Sequence, residues 1–275
     1  MVTVFRVIRI FNRCEGIVML DLILYGVFAW VALIVVIIGV IYRIIGWISP
    51  RGLTGLASVA VVSYNWRGPS RAVEILKRIL IFYTLRYSDK TLFWGAFLFH
   101  WGIFLTLFLG HTALFFTPEQ LQALGLSPEA RHEIAVYLGA LFGFITIVGL
   151  AILWVRRLTK REVRTFTYLD DWFALSLVTL IVVVGMINTV IIHPDYVNTV
   201  TPWLLKLLSF NIGAAVEYIA KADAMVKLHV LLAEILMVYV PLGKMIHPFA
   251  TFFEPTITMA PYKVKGSEEA GLRVS

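Results

Sequence analysis

Five stretches in which apolar residues run almost unbroken divide the chain: residues 17–45, 92–116, 134–155, 172–192 and 225–246. A helix rising ~1.5 Å per residue needs roughly 20 such residues to cross ~30 Å of hydrocarbon, and each stretch reaches about that length. None alternates with the two-residue period of a barrel strand. The pattern therefore predicts an all-α, polytopic membrane protein, a bundle of five transmembrane helices. Residues 69–87 read differently: Val73, Leu76, Ile79, Leu80 and Tyr83 recur at helical spacing, with Arg71, Lys77 and Arg78 on the other side. That predicts an amphipathic helix lying in the interface, or a docking surface for a partner. Residues 117–131, with Pro118 and Pro128, predict an outer loop with a short helix.

Composition narrows the class without changing it. The chain is 60% hydrophobic and only 15% charged, with a mean hydropathy of +0.85, which excludes a water-soluble domain. A single cysteine, Cys14, excludes an internal disulfide and a thiolate cluster, so metal chemistry falls to six histidines. The net charge of +7 records orientation rather than affinity for nucleic acid. Lys and Arg crowd the connections 43–90 and 156–171 and the segment from Lys244 onward, and are sparse in the other two connections. Positive-inside counting thus places the N-terminus outside and the C-terminus in the cytoplasm of a multi-pass cell-membrane protein. Arg6, Arg9 and Arg13 argue the other way. The first apolar run is too long for a signal-peptide core and reads as an uncleaved span, with Met19 as an alternative start. Residues 1–255 read as the membrane domain and 256–275 as a cytoplasmic tail.

Four histidines lie within or at the ends of two spans, where ionisable residues are expensive and functional by default. His100 and His111, eleven residues apart in the second span, fall only ~20° apart around a helix and ~16 Å apart along it. His229 and His247 bracket the fifth span eighteen residues apart, about five whole turns, and also share a face. The two helices are antiparallel, so packing them together pairs His111 with His229 near one surface and His100 with His247 near the other. Two facing neutral imidazoles are what a six-coordinate b-type haem requires, and they leave no position for oxygen. A closed zinc site wants four ligands together, and no carboxylate or cysteine accompanies either pair. The axial separations of the pairs differ, so tilt and a bend near Pro241 must absorb the mismatch.

The fifth-span pattern Leu228-His229, Pro241 and Lys244-x-x-His247 resembles the membrane cytochrome b (gamma) subunits of respiratory nitrate reductases. Leu98-Phe99-His100 with Gly110-His111 and Thr117-Pro118 is similar to the same family, as are Arg156, Val163-Arg164, Thr167 and Asp170 before the fourth span. The resemblance spans about residues 19–255 and extends to the membrane cytochromes b of heterodisulfide reductases and sulfate reducers. It implies two b haems, the outer on His111 and His229 and the inner on His100 and His247. It also implies quinol oxidation beside the outer haem at Gly110 and Arg131, with His132 adjacent. An iron–sulfur protein on the cytoplasmic face and a terminal reductase beyond it complete the implied complex. One departure is the spacing in the second span, where the nitrate reductase members have one residue fewer between the histidines. That predicts a local irregularity of the helix or membership of a sister branch. Arg131 also replaces a lysine.

Other polar residues have two readings each. His193 caps the fourth span before Pro194, as an interfacial residue or a quinol contact. Glu234, in mid-span, is either protonated and hydrogen-bonded to a group such as Asn188, or part of a proton path. Lys244 is a haem-propionate partner or a positive-inside anchor. A haem-free transporter or assembly subunit is the competing class, against which stands the lack of repeat-related, interrupted spans.

Overall fold

The computed structural model describes residues 19–48, 73, 76–82, 85–86, 89–112 and 116–250. Arg6, Arg9, Arg13, Cys14, most of the predicted amphipathic helix and the C-terminal tail lie outside the described residues. All regular structure among the described residues is helical, and five helices are long and apolar enough to cross a membrane. They are α1 (Met19–Trp47), α2 (Lys90–Gly110), α4 (Pro128–Thr159), α6 (Leu169–Ile192) and α9 (Ala224–Leu242), with the short α3 (Pro118–Ala123) and α5 (Arg161–Thr165) between spans. The connection before α9, which the sequence reading leaves as a loop, folds into a helical hairpin, α7 (Val200–Leu208) and α8 (Ile212–Ile219).

Local chemistry sets the ends. The Asp89 side chain accepts from Leu92 N at 3.0 Å and starts α2, Thr117 and Gln120 form a capping box on α3, and Ser127 caps α4 ahead of Pro128. α9 stops at Leu242, four residues short of the predicted end. Pro241 removes a backbone donor, and Gly243 takes an extended conformation (φ −109°, ψ −166°), after which a 3₁₀ turn, Lys244–Ile246, leads to His247. The described helix α2 ends at Gly110, with His111 in a turn.

Spans α2 and α4 share the most extensive seam of the bundle. A Cβ on Gly149 would run into the backbone of Phe99, and one on Gly102 would lie 2.7 Å from Thr146 N, so backbones approach where only glycine fits. Gly95 and Gly102 share this face, and His100 and His111 lie roughly 180–200° away from Gly102. Close packing on one side of α2 therefore turns both histidines to the other. At the end of this seam Asp89 Oδ2 accepts from Arg156 Nη2 and Lys160 Nζ, each at 3.0 Å. The Leu92 amide, Lys160 and Arg156 together hold the Asp89 carboxyl well below the usual carboxylate range. A group whose folded pKa is depressed contributes stability above its unfolded pKa of ~3.9 and loses it as pH falls toward the folded value. Asp89→Asn should accordingly lower thermal stability at neutral pH, and the difference from the unaltered protein should shrink in melts run below about pH 4.

α1 packs along α9 and under the α7–α8 hairpin, where Tyr25, Ala29, Trp203, Leu207, Ala215 and Ile219 form a buried cluster. Trp203 Nε1 donates to Tyr25 O at 2.9 Å. Lys227 Nζ bonds Asp21 Oδ2 at 2.7 Å, with Asp21 only 4% exposed. α6 joins α9 through Leu177, Val184 and Leu232.

Candidate functional site: two facing histidine pairs

The four paired histidines are held by local irregularities as much as by regular helix, with His247 exposed beyond the end of α9. His100 Nδ1 lies 2.7 Å from Ala96 O one turn back. Beyond it α2 relaxes into a π-helical turn, Thr106–Gly110, and His111 Nδ1 reaches Thr106 O, five residues back, at 3.0 Å. A π turn takes up an extra residue, which is the irregularity that the eleven-residue spacing calls for. His247 follows the break at Gly243, with its Nδ1 3.1 Å from Lys244 O. A carbonyl can only accept, so in each of these three rings Nδ1 carries the proton and Nε2 keeps its lone pair. The His229 ring sits against Gly185, where a Cβ would come within 2.9 Å of its Cε1.

The structure brings the rings together as two pairs. The centroids of His111 and His229 are 6.0 Å apart with planes 21° from parallel, and those of His100 and His247 are 5.8 Å apart with planes at 82°. Two nitrogen–metal bonds of ~2.0–2.1 Å, added to the two ring radii, put facing imidazole centroids roughly 6 Å apart. The backbones of α2 and α9 make no extensive contact; the imidazoles span the space between them. Among the described residues no group of three His, Cys, Asp or Glu could hold a metal, so the donor set suits two axial ligands rather than a closed tetrahedral site. Around the first pair, His229 Nδ1 and the hydroxyls of Thr106 and Thr112 are buried without hydrogen-bond partners. Such orphaned polar atoms mark a place built to meet a further polar group. The donor chemistry, spacing and orphaned atoms fit a haem held axially by each pair.

The second pair has a charged surround. Lys244 bonds Asp171 at 2.7 Å, Tyr239 OH donates to the Asp170 carboxylate, and Arg43, Asp170, Lys244 and His247 line a cleft of about 410 Å³. These contacts tether the turn carrying His247 to the start of α6. Phe82 stands 5.2 Å from the His100 ring, and Trp101 Nε1 donates to Leu80 O at 2.8 Å. The end of the predicted amphipathic segment thus reaches the second pair.

The quinol-site candidates are dispersed along α2 and α4. Gly110 lies against Gly139, where an added Cβ would be 3.1 Å from Cα. Arg131 is buried in the first turn of α4, two turns before Gly139, whereas the neighbouring His132 is exposed. His193 is exposed at the end of α6. Tyr196, just beyond it, has its phenol pushed up to about 12 by burial and stays a neutral donor.

The nitrate reductase gamma subunit family model matches residues 84–264, about two thirds of the chain, including both histidine pairs. The chain belongs to this family. Among its relatives, it is 27% identical to the Hdr-like menaquinol oxidoreductase cytochrome b-like subunit of Archaeoglobus fulgidus, over 86% of this chain and 80% of that protein. It is 27% identical to the respiratory nitrate reductase 2 gamma chain of Escherichia coli, over 57% of this chain and 70% of that protein. It is also 24% identical to a component of the dihydromethanophenazine:CoB–CoM heterodisulfide reductase of Methanosarcina barkeri, over 64% of this chain and 74% of that protein. A gamma-family chain with five apolar spans is a multi-pass membrane protein and an electron-transfer subunit of a membrane oxidoreductase complex.

Two features of this gamma-family chain escaped sequence reasoning. The Asp21–Lys227 pair joins residues 206 positions apart; its one sequence signal is a lone carboxylate inside an apolar stretch. Asn188 is not the partner of Glu234. It donates to Met225 O at 3.1 Å, and Glu234 lies a further nine residues along α9, ~13.5 Å away at 1.5 Å per residue.

Proposed function

We propose that this chain is a dihaem b-type cytochrome subunit that oxidises a membrane quinol near the outer face and passes electrons across the bilayer to an iron–sulfur partner. The observation that carries the reading is the pair of facing imidazole sets, stacked ~16 Å apart along α2. Haem held by His111 and His229 and by His100 and His247 would supply a one-electron couple. The chain does the rest. The Nδ1–carbonyl bonds of His100, His111 and His247 fix each ring's orientation and tautomer. In this reading the His111–His229 pair lies toward the outside. Gly110, packed on Gly139, lets α2 and α4 approach beside the quinol head, the guanidinium of Arg131 holds a quinol oxygen, and the exposed His132 passes the released proton to water. At the cytoplasmic end Arg43, Lys244 and the Lys and Arg of the connections present a basic face to the partner.

The wider coverage of the Archaeoglobus relative, 86% of this chain against 57% for the Escherichia coli gamma chain, favours a heterodisulfide-reductase-like complex over a nitrate reductase. A menaquinol is then the donor, and the catalytic subunit lies beyond the iron–sulfur protein. Reduced-minus-oxidised spectra with haem extraction on the purified protein test the assignment. Two b-type haems per chain are expected. Their absence would overturn the reading in favour of a haem-free transporter or assembly subunit, and the co-purifying subunits identify the terminal reductase.

A further inference from the structure

We propose that Glu234 is a proton-binding site inside the membrane, taking up one proton as an electron enters the chain of sites and releasing it as the electron leaves. The proposal rests on the dihaem reading. Glu234 is 3% exposed, and both carboxyl oxygens are buried without a hydrogen-bond partner. Isolated burial of this kind is what an ionisable group tolerates only by changing charge state. Its setting is the α1–α9 interface. Val230 and Leu231 of α9 pack on the Tyr25–Ala29 cluster of α1, and Glu234 continues that stripe by one turn.

Two contacts fix the register of this interface: Asp21 meets Lys227, and Gly39 abuts Pro241, whose Cβ would be 2.5 Å from an added Cβ. Glu234 is midway between Lys227 and Pro241, and Trp30 is midway between Asp21 and Gly39, which puts the two residues at one depth. Trp30 Nε1 is likewise buried without a partner. Asp21 and Tyr25, one turn apart on α1, thus lead from the proposed outer surface toward the level of Glu234. The other titratable groups facing this region are Lys227, paired with Asp21, and Tyr218 at the edge of the same cluster, where Lys221 lies over its ring. α6 has no titratable residue between Asp171 and His193. His229 is five residues before Glu234 and about 140° around α9.

The coupling is electrostatic. An oxidised site would carry positive charge that favours the Glu234 carboxylate, and the electron delivered by quinol would remove it in a low-dielectric medium that weakly screens charge. Glu234 then gains H⁺ from the outer side, forming one O–H bond, and loses it on onward transfer. No other bond changes.

Equilibrium redox titration of the b-type absorbance of the purified complex across neutral and alkaline pH tests this. One midpoint should fall with pH, approaching ~59 mV per tenfold change in proton concentration for one proton per electron. Glu234→Gln should flatten that slope with both haem bands retained, and Glu234→Asp should restore it. An unchanged slope in a Gln variant holding both haems, or a flat slope in the unaltered protein, overturns the proposal. Should the Gln variant lose haem, redox-difference infrared spectra of the unaltered protein decide. A deuterium-sensitive protonated-carboxyl band that appears on reduction and moves in Glu234→Asp supports the site, and its absence overturns it. A protein with no b-type bands at all instead sinks the cytochrome reading.

Discussion

His229→Ala is expected to lose one of the two b-type haems and, with it, quinol oxidation, while the second haem stays. The imidazole fills the space that Gly185 leaves open and faces His111 at 6.0 Å. Removing it leaves His111 a ring without an opposite partner. Changes in groups that merely support a ligand cost 10–100-fold in metal affinity, so deletion of the ligand itself should exceed that. The His100–His247 pair has its own anchors, the Ala96 and Lys244 carbonyls, and shares none with His229. Spectra should show about half the b-type absorbance, and quinol-driven reduction should fall by at least about 100-fold. Retention of both haems in this variant would show that the pairing of ligands is wrong.

The second large effect is structural. Gly149→Leu should destabilise the bundle by about 3 kcal/mol or more, at or beyond the upper end of ordinary overpacking. The added side chain would meet the Phe99 amide and Cα, and backbone cannot step aside as the tip of a flexible side chain can. Phe99 immediately precedes His100, so the same displacement misplaces a ring of the second pair. Thermal unfolding in detergent should show a lowered midpoint, with weakened His100-site absorbance before unfolding. Gly213→Ala is the control: nothing lies within 4 Å of its added Cβ, and its stability should be close to that of the unaltered protein. Equal stability of the Gly149 variant would mean that α2 and α4 are not packed as described.

The five spans were legible because hydrocarbon imposes a length and a composition that survive any detail of packing. The phase of the histidines was legible for a similar reason: His100 and His111, or His229 and His247, share a face by helical geometry alone. The exact ends were not. α9 was expected to run to Ile246 because its residues stay apolar, yet the pyrrolidine of Pro241 and the extended Gly243 end it first. The extra residue between His100 and His111 foretold an irregularity, but its form as a π turn over Thr106–Gly110 depends on how α2 is pressed against α4.

Polar partners in the bundle were the least legible. Asn188 looked like a natural companion for Glu234, and it is occupied with Met225 O instead. Asp21 drew no notice until α1 was seen beside α9, and Arg131 and His132, adjacent in sequence, differ in burial because successive helical positions point ~100° apart. By itself, then, the sequence determined the class, the five spans and which histidines share a face, because these follow from short-range periodicity and the solvent. Only the tertiary structure decided the 5.8 and 6.0 Å ring separations, the α7–α8 hairpin over α1 and the isolation of Glu234. Those depend on which helices are neighbours, and that is set by close backbone approach at a few glycines and by ion pairs between residues far apart in the chain.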